Sequence, residues 1–372
     1  KMHDVLIIGS GVIGMSIARQ LSQSHLDIAL IDRDVPGKHA SYKAGGMLGA
    51  QNEFTEDTDL FRLALESRSL FPQLCQDLEA ETGIDIQFQN SGLIKVANRP
   101  EDVESLEKQY QFLSGLDSSV IVLSDEELTH LTNGTVTSSE MAIYIPQDGQ
   151  INANHYTKAL FTSLKQRQIK RYVNTEVQSV QRQNGYYDVE TSQGTLQAKK
   201  VIVAAGAWTS KLLTQYSLPR DVVGVKGEVL LIENDHLDLK ETVFMTNGCY
   251  IVPKYPNRFL IGATSEFDNY SVGNTDDGIS WLHHFANERV PELAHGKVIK
   301  QWSGVRPYTE GEIPIMDRID EDLYVISGHY RNGILLSPII GRDIANWILT
   351  GVKPHRYESF SASRRLNHEV YH

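Results

Sequence analysis

The stretch that most constrains the fold is "DVLIIGSGVIGMSIARQLSQSHLDIALIDRD", residues 4–34. Val5 to Ile8 is a short continuous apolar run, the pattern of a strand buried on both faces of a parallel sheet. Gly9, Gly11 and Gly14 follow at G-x-G-x-x-G spacing, and Ile13, Ile17 and Leu21 then recur on one helical face. A second apolar strand, Ile28 to Ile31, ends at Asp32, about 20 residues beyond the last glycine. Strand, glycine turn, helix, strand and terminal acid in this order predict a βαβ unit that binds an adenine dinucleotide. The first glycine turns the chain, the second lets backbone approach a pyrophosphate, and the third lets helix and strand pack closely. The helix start offers N–H groups and partial positive charge to the phosphates. An acid rather than a base at position 32 favours a free ribose hydroxyl, hence NAD or FAD over NADP. Without these flanks the same spacing would be read as no more than a tight turn.

At 372 residues the chain is long for one domain, and about 150 residues per domain predicts two. An NAD dehydrogenase would continue with further strand and helix pairs completing the same sheet. Here a small-residue loop follows instead, "SYKAGGMLGAQNE" (Ser41 to Glu53), where backbone can lie against a ligand. A helix is expected from Leu60 to Thr82, bent at Pro72, then a hairpin in "DIQFQNSGLIKVA" turning at Asn90 to Gly92. Helical spacing returns from Asn154 to Lys170, and Val201 to Val203 is a second buried-type strand that runs out at Gly206. Asp221 to Gln301 is strand-rich, and Leu323 to Ile326 is a last buried strand before the loop "GHYRNG" and an apolar helix. The predicted fold class is therefore α/β, with a discontinuous Rossmann-like FAD-binding domain and a β-rich (α+β) substrate domain. The first takes residues 1–86, 147–219 and 303–372, the second 87–146 and 220–302. Arg331 falls at the seam between the last strand and its helix, where a charge is costly unless something pairs with it.

A net charge of -12 argues against nucleic acid or an anionic membrane as partner, since both reward clustered Lys and Arg. No apolar run approaches the ~18 residues of a membrane span. The run Val5 to Ile8 has no small-residue cleavage site behind it, so a cytoplasmic protein is expected. Two cysteines give no disulfide framework, and Cys75 and Cys249 are both read as small buried hydrophobes. The 13 histidines show no ligand spacing, and no metal is expected.

The glycine motif with Asp32, "AGGMLGA", "VIVAAGAWT", "GVRPYTEGEIPIMDR" and "GHYRNGILLSPIIG" together resemble the FAD-dependent amine and D-amino acid oxidase superfamily over essentially the whole chain. Within it the likeness is to the bacterial glycine oxidases, associated with forming the thiazole ring of thiamine. The resemblance implies an extended FAD, its ring between the two domains. Gly9, Gly11, Val12, Ile13, Gly14, Asp32 and Arg33 would hold the ADP half, with Val177 at the adenine. Gly46, Met47, Gly49 and Gly206 would line the cofactor, and His329, Arg331, Asn332, Gly333, Ile334 and Leu335 would wrap the pyrimidine edge of the ring. A helix starting near Gly333 would aim its positive end at the edge where charge collects on reduction. Related sarcosine oxidases attach flavin to a cysteine after the carboxylate-binding segment; Tyr308 to Arg318 contains none, so noncovalent FAD is implied.

By the same resemblance Arg306 would hold a substrate carboxylate, Tyr250 would give it a phenolic hydrogen bond, and Arg331 would close the site from the other side. The implied reaction is oxidative deamination of glycine and other small amines, such as sarcosine and small D-amino acids, to an oxo acid, ammonia and hydrogen peroxide with dioxygen as acceptor. No general base is obvious, and none is needed if the amine binds neutral. A homo-oligomer, a tetramer, is implied as well. Each site residue has a bland reading: an ion pair with Glu310, Glu312 or Asp317 for Arg306, cross-strand packing for Tyr250, gap-filling for Met47. Gly248 and Ser265 are expected to flank the pocket as small residues. The alternatives are a D-amino acid or sarcosine dehydrogenase passing electrons to another acceptor, and a flavin-binding protein without turnover.

Overall fold

The computed structural model describes residues 1–34 and 45–363; residues 41–44, the start of the expected small-residue loop, lie outside the described residues. β1 (Met2–Ile8), α1 (Val12–Leu21) and β2 (Ile28–Ile31) form as the apolar pattern requires. Val5, Leu6, Ile7 and all of β2 are buried, each large side chain contributing roughly 1.5–3 kcal/mol. Alternation along β1 sends Val5 and Ile7 into one core and Leu6 and Ile8 into another on the opposite face.

β1 lies inside the first sheet, parallel to β2 on one side and to Gly194–Val203 on the other, with Ile8 level with both Ile31 and Val203. Lys170–Tyr172 extends the sheet beyond β2, and Leu323–Ser327 extends it beyond Gly194–Val203, both parallel. The carboxyl ends of these strands share one edge, the edge on which open α/β sheets bind ligands. Four helices cover the Val5 face: α1, α2 (Asp59–Thr82), Ala153–Gln166 and Gly333–Thr350. Thr58 starts α2 by accepting the Phe61 N–H at 3.2 Å, Gly83 ends it with φ 76°, and Pro72 lies inside it.

Three of these helices are tied by one carboxylate. Glu81 of α2 accepts from Arg19 of α1 at 2.8 Å, from Arg167 after the third helix at 2.8 Å, and from the Ser163 hydroxyl. Burial raises this carboxyl, but the two guanidinium groups and the hydroxyl outweigh it and hold it at about 2. The folded value is depressed, so this stabilisation is present above the ordinary 4.5 and is lost as pH falls towards 2. Glu81→Gln is expected to destabilise the protein by about 1–2 kcal/mol at neutral pH, after allowance for solvent screening. In urea unfolding the deficit should shrink as the buffer is taken below the ordinary carboxyl range; a deficit independent of pH would refute the clamp.

The second sheet is built from Leu93–Ala97, Met141–Ile145, Val223–Glu233, Thr242–Met245, Tyr250–Lys254, Arg258–Gly262 and Lys297–Tyr308, with short edge strands. Its longest ladder joins Val223–Glu233 to Lys297–Tyr308, running from Val223 opposite Tyr308 to Glu233 opposite Lys297. The expected junction at residue 303 therefore falls inside a strand: cutting there would strip backbone partners from Ser303 to Tyr308. The hairpin expected over Asp85 to Ala97 does not form. Gln89 pairs with Gln150 instead, and Leu93–Ala97 lies between Thr242–Met245 and Met141–Ile145. Alternation is a poor guide to partner choice when both neighbours come from distant sequence. Cys249 is buried, but Cys75 is only partly so, with its thiol 3.6 Å from an Asp85 oxygen. Among the described residues no helix is long and apolar enough to cross a membrane, and no group of three or more His, Cys, Asp or Glu could hold a metal ion.

Candidate active site

Between the carboxyl edge of the first sheet and the second sheet lies a cavity of about 510 Å³, a size typical of ligand sites. Its nucleotide end is built by the βαβ unit. Gly9 has φ 110°, and a Cβ there would overlap the Ala204 carbonyl at the end of the neighbouring strand. Gly11 caps α1 without a side-chain hydrogen bond, and this helix start lines the cavity together with Val12 and Ile13. Gly14 does not reach the cavity: a Cβ on it would overlap the Gly9 carbonyl, so it serves the contact between turn and helix. Asp32 lines the cavity from the end of β2 and accepts from the Ser10 hydroxyl. Arg33 stacks 4.4 Å over the Trp208 ring, and Val177 and Gly206 (φ 57°) complete this end.

Gly46, Met47 and Gly49 line the middle. Gly46 has φ 77° and exchanges backbone contact with Ile151, whose N–H donates to its carbonyl at 2.8 Å. Lys254 locks the same turn, donating to the carbonyls of Gly45 at 2.7 Å and Ile151 at 2.9 Å and to the Gln150 side chain at 2.8 Å. Burial pulls its ammonium down to about 7. His329, Arg331, Asn332, Gly333 and Ile334 line the far end, and Asn332 caps the helix Gly333–Thr350 without a side-chain hydrogen bond. A second helix start without a side-chain cap thus meets the same cavity. Burial pushes His329 down to about 3, so its imidazole is neutral, with Nε2 3.5 Å from the Met316 sulfur. Leu335 does not reach the cavity; its side chain belongs to the core, and its carbonyl accepts from Ser67.

Arg306 enters from the strand Lys297–Tyr308, opposite Val225. Its Nη2 donates to the Thr264 carbonyl at 2.6 Å and the Ser265 hydroxyl at 2.9 Å, and its buried Nε has no partner. Among the described residues no carboxylate pairs with it: Glu312 turns to Arg331 and Asp317 to Lys353. Burial lowers its pKa from the ordinary arginine value. Tyr250 opens the strand Tyr250–Lys254, with its hydroxyl close to Gly45 and Gly262. Burial pushes its phenol up to about 12 against the pull of Arg306, so it stays protonated and can donate. Gly248 lies outside the lining, in the turn before Cys249.

Arg331 is brought to the site but is not a free cation. Its Nη2 lies 3.1 Å from Glu53 and 3.4 Å from Glu312, and the Glu53 charge is the main reason its pKa is raised. Sequence reasoning missed Glu53 and Trp208. Glu53 closes the very loop singled out for its small residues, the one signal that pointed to it. Tyr330, with φ 50°, sits between the two arginines, its ring centroid 5.3 Å from Arg306 and 5.2 Å from Arg331.

Two helix starts without side-chain caps, an acid at the end of β2 and glycine backbone along the wall fit an extended adenine dinucleotide; a partly buried arginine with no carboxylate partner among the described residues and a phenol donor fit a small acid beside it. Comparison with known proteins agrees. The chain is 36% identical over 367 residues to glycine oxidase of Geobacillus kaustophilus (strain HTA426), covering 98% of this chain and 97% of that one. The crystal structure of glycine oxidase from that organism superposes with a TM-score of 0.94, covering 98% of this chain and 100% of the other at 36% identity. A bifunctional protein ThiO/ThiG of Trichormus variabilis (strain ATCC 29413 / PCC 7937) is 32% identical over 353 residues, 93% of this chain and 53% of that protein. The family described as FAD dependent oxidoreductase matches residues 4–347, and the chain belongs to that family.

Proposed function

We propose that the protein is an FAD-dependent glycine oxidase, converting glycine and other small amines to an oxo acid, ammonia and hydrogen peroxide. The observation that carries this reading is Arg306, a partly buried guanidinium whose buried Nε has no hydrogen-bond partner and which pairs with no carboxylate among the described residues, facing the cavity beside the Tyr250 phenol. Arg306 receives the substrate carboxylate, Tyr250 donates to it, and the fixed strands that carry them set the α-carbon in one orientation. Bound FAD supplies the electron acceptance at that carbon and the return of the electrons to dioxygen. Gly9, Gly11, Val12, Ile13, Asp32, Arg33 and Val177 hold its ADP half. Gly206 lies at that same end, while Gly46, Met47, Gly49, His329, Asn332, Gly333 and Ile334 shape the ring end, with Gly14 and Leu335 acting through packing. The segment Tyr308 to Arg318 has no cysteine, which supports noncovalent binding.

The domain division belongs to this reading: residues 1–86, 147–219 and the chain after Tyr308 hold the cofactor, and the rest presents the substrate. A role in supplying thiamine thiazole biosynthesis is supported by the likeness to the ThiO/ThiG protein. A cytoplasmic location, on the sequence reading of its amino-terminal run, and a homotetramer, on the resemblance alone, complete it.

The test is a visible spectrum recorded without oxygen before and after glycine, and then with sarcosine and D-alanine. Bleaching by glycine, with colour and peroxide returning on admission of air, is the expected result. Recovery only with an added dye acceptor would favour a dehydrogenase. A yellow protein bleached by none of the three would refute the site.

A further inference from the structure

We propose that Glu53 sets the charge selectivity of the substrate end: by holding Arg331 it leaves one guanidinium for substrate, so the site takes monocarboxylates and rejects compounds with a second anionic group. The inference rests on Arg306 as the carboxylate-binding residue. Arg331 and Arg306 stack on the same Tyr330 ring, 5.2 Å and 5.3 Å from its centroid, so a diacid of the size of N-(carboxymethyl)glycine could bridge them. What prevents this is that Arg331 is already paired. Of its two partners Glu312 is half exposed and 3.4 Å away, and solvent screens it. Glu53 is 10% exposed, 3.1 Å away and part of the cavity wall, so its charge meets any incoming anion directly.

Glu53 is also held in place. The N–H groups of Gln51 and Asn52 donate to Asp148 at 3.2 Å and 2.8 Å. Gln109 donates to the carbonyls of Asn52 at 2.8 Å and Phe54 at 3.0 Å, and Glu53's own N–H donates to Gly49 at 3.1 Å. The backbone on both sides of Glu53 is thereby fixed, which keeps its carboxylate at the cavity wall within reach of Arg331. Lys95, which is not among the cavity-lining residues, donates to the Asn52 carbonyl at 3.1 Å.

The probes are two ethers that cannot be deaminated, methoxyacetate with one carboxylate and oxydiacetate with two, titrated into the holoenzyme and read by the flavin visible band. The native protein should bind methoxyacetate the more tightly. Glu53→Gln should improve oxydiacetate relative to methoxyacetate by at least about tenfold, the effect of one close charge pair. Turnover of N-(carboxymethyl)glycine relative to sarcosine should move in the same direction. Arg331→Met, which leaves Glu53 facing the site unpaired, should shift the ratio the opposite way and serves if the first variant fails to fold. An unchanged ratio in either folded variant, with methoxyacetate still bound, overturns the proposal. Native protein that binds methoxyacetate no better than Arg306→Ala does would overturn the reading of Arg306, and this inference with it.

Discussion

Arg306→Ala is expected to lower kcat/KM for glycine and sarcosine by at least about 30-fold while leaving FAD in place, since losing one partner of a buried charge pair costs about 2–5 kcal/mol. Arg306 spends one nitrogen on Thr264 and Ser265 and has a buried Nε with no partner, which is a poor arrangement unless an anion completes it. The loss should fall mainly on KM, because the carboxylate is bound alike in ground and transition states. Arg306→Lys should recover only part of it, a point charge replacing a planar fork. FAD occupancy, read from the visible absorption of the purified variant, should match that of the native protein because the ADP-half residues come from other strands and loops. Unchanged kinetics in the alanine variant would remove Arg306 from the site.

The βαβ unit was legible because its signals are local: period, glycine spacing and a terminal acid all lie within residues 4–34. The strand Leu323–Ser327 and the helix from Gly333 were legible for the same reason. Motif membership did not separate residues that face the cavity from those that support it, so Gly14 and Leu335 were grouped with the wall although both pack behind it. The seam at Arg331 could be recognised as needing a partner, but the partner could not be named. Glu53 lies far away in sequence and meets it only when distant segments of the same domain come together, and no periodicity encodes such a pair. The bland reading for Arg306 failed in an instructive way: Glu312 does pair with an arginine, but with Arg331. Sheet partners were illegible for a related reason, since Leu93–Ala97 takes both of its neighbours from outside its own hairpin-length window.

Arg68→Met should be the most damaging change away from the chemistry. Asp148 is buried, with its side chain 0% exposed, and accepts from Arg68 at 2.7 Å and from the Gln51 and Asn52 N–H groups. Burial pushes its carboxyl up to about 6, with Arg68 and the two backbone donors acting in opposition. Removing the guanidinium leaves a buried charge with two backbone donors alone, a loss of about 3–5 kcal/mol at neutral pH. Without Arg68 the carboxyl titrates higher still. Between the two folded-state values the variant therefore keeps a proton that the native protein has released, and its relative stability falls as pH rises through that window. The deficit in urea midpoint should be smaller in acid buffer than at about pH 8. Because Gln51 and Asn52 belong to the segment that carries Glu53, the variant should also release FAD at lower denaturant. Arg68→Met combined with Asp148→Asn should recover much of the loss, since neither partner is then left charged. A single variant as stable as the native protein, or a double variant no better than the single, would show that this pair does not hold the cavity wall.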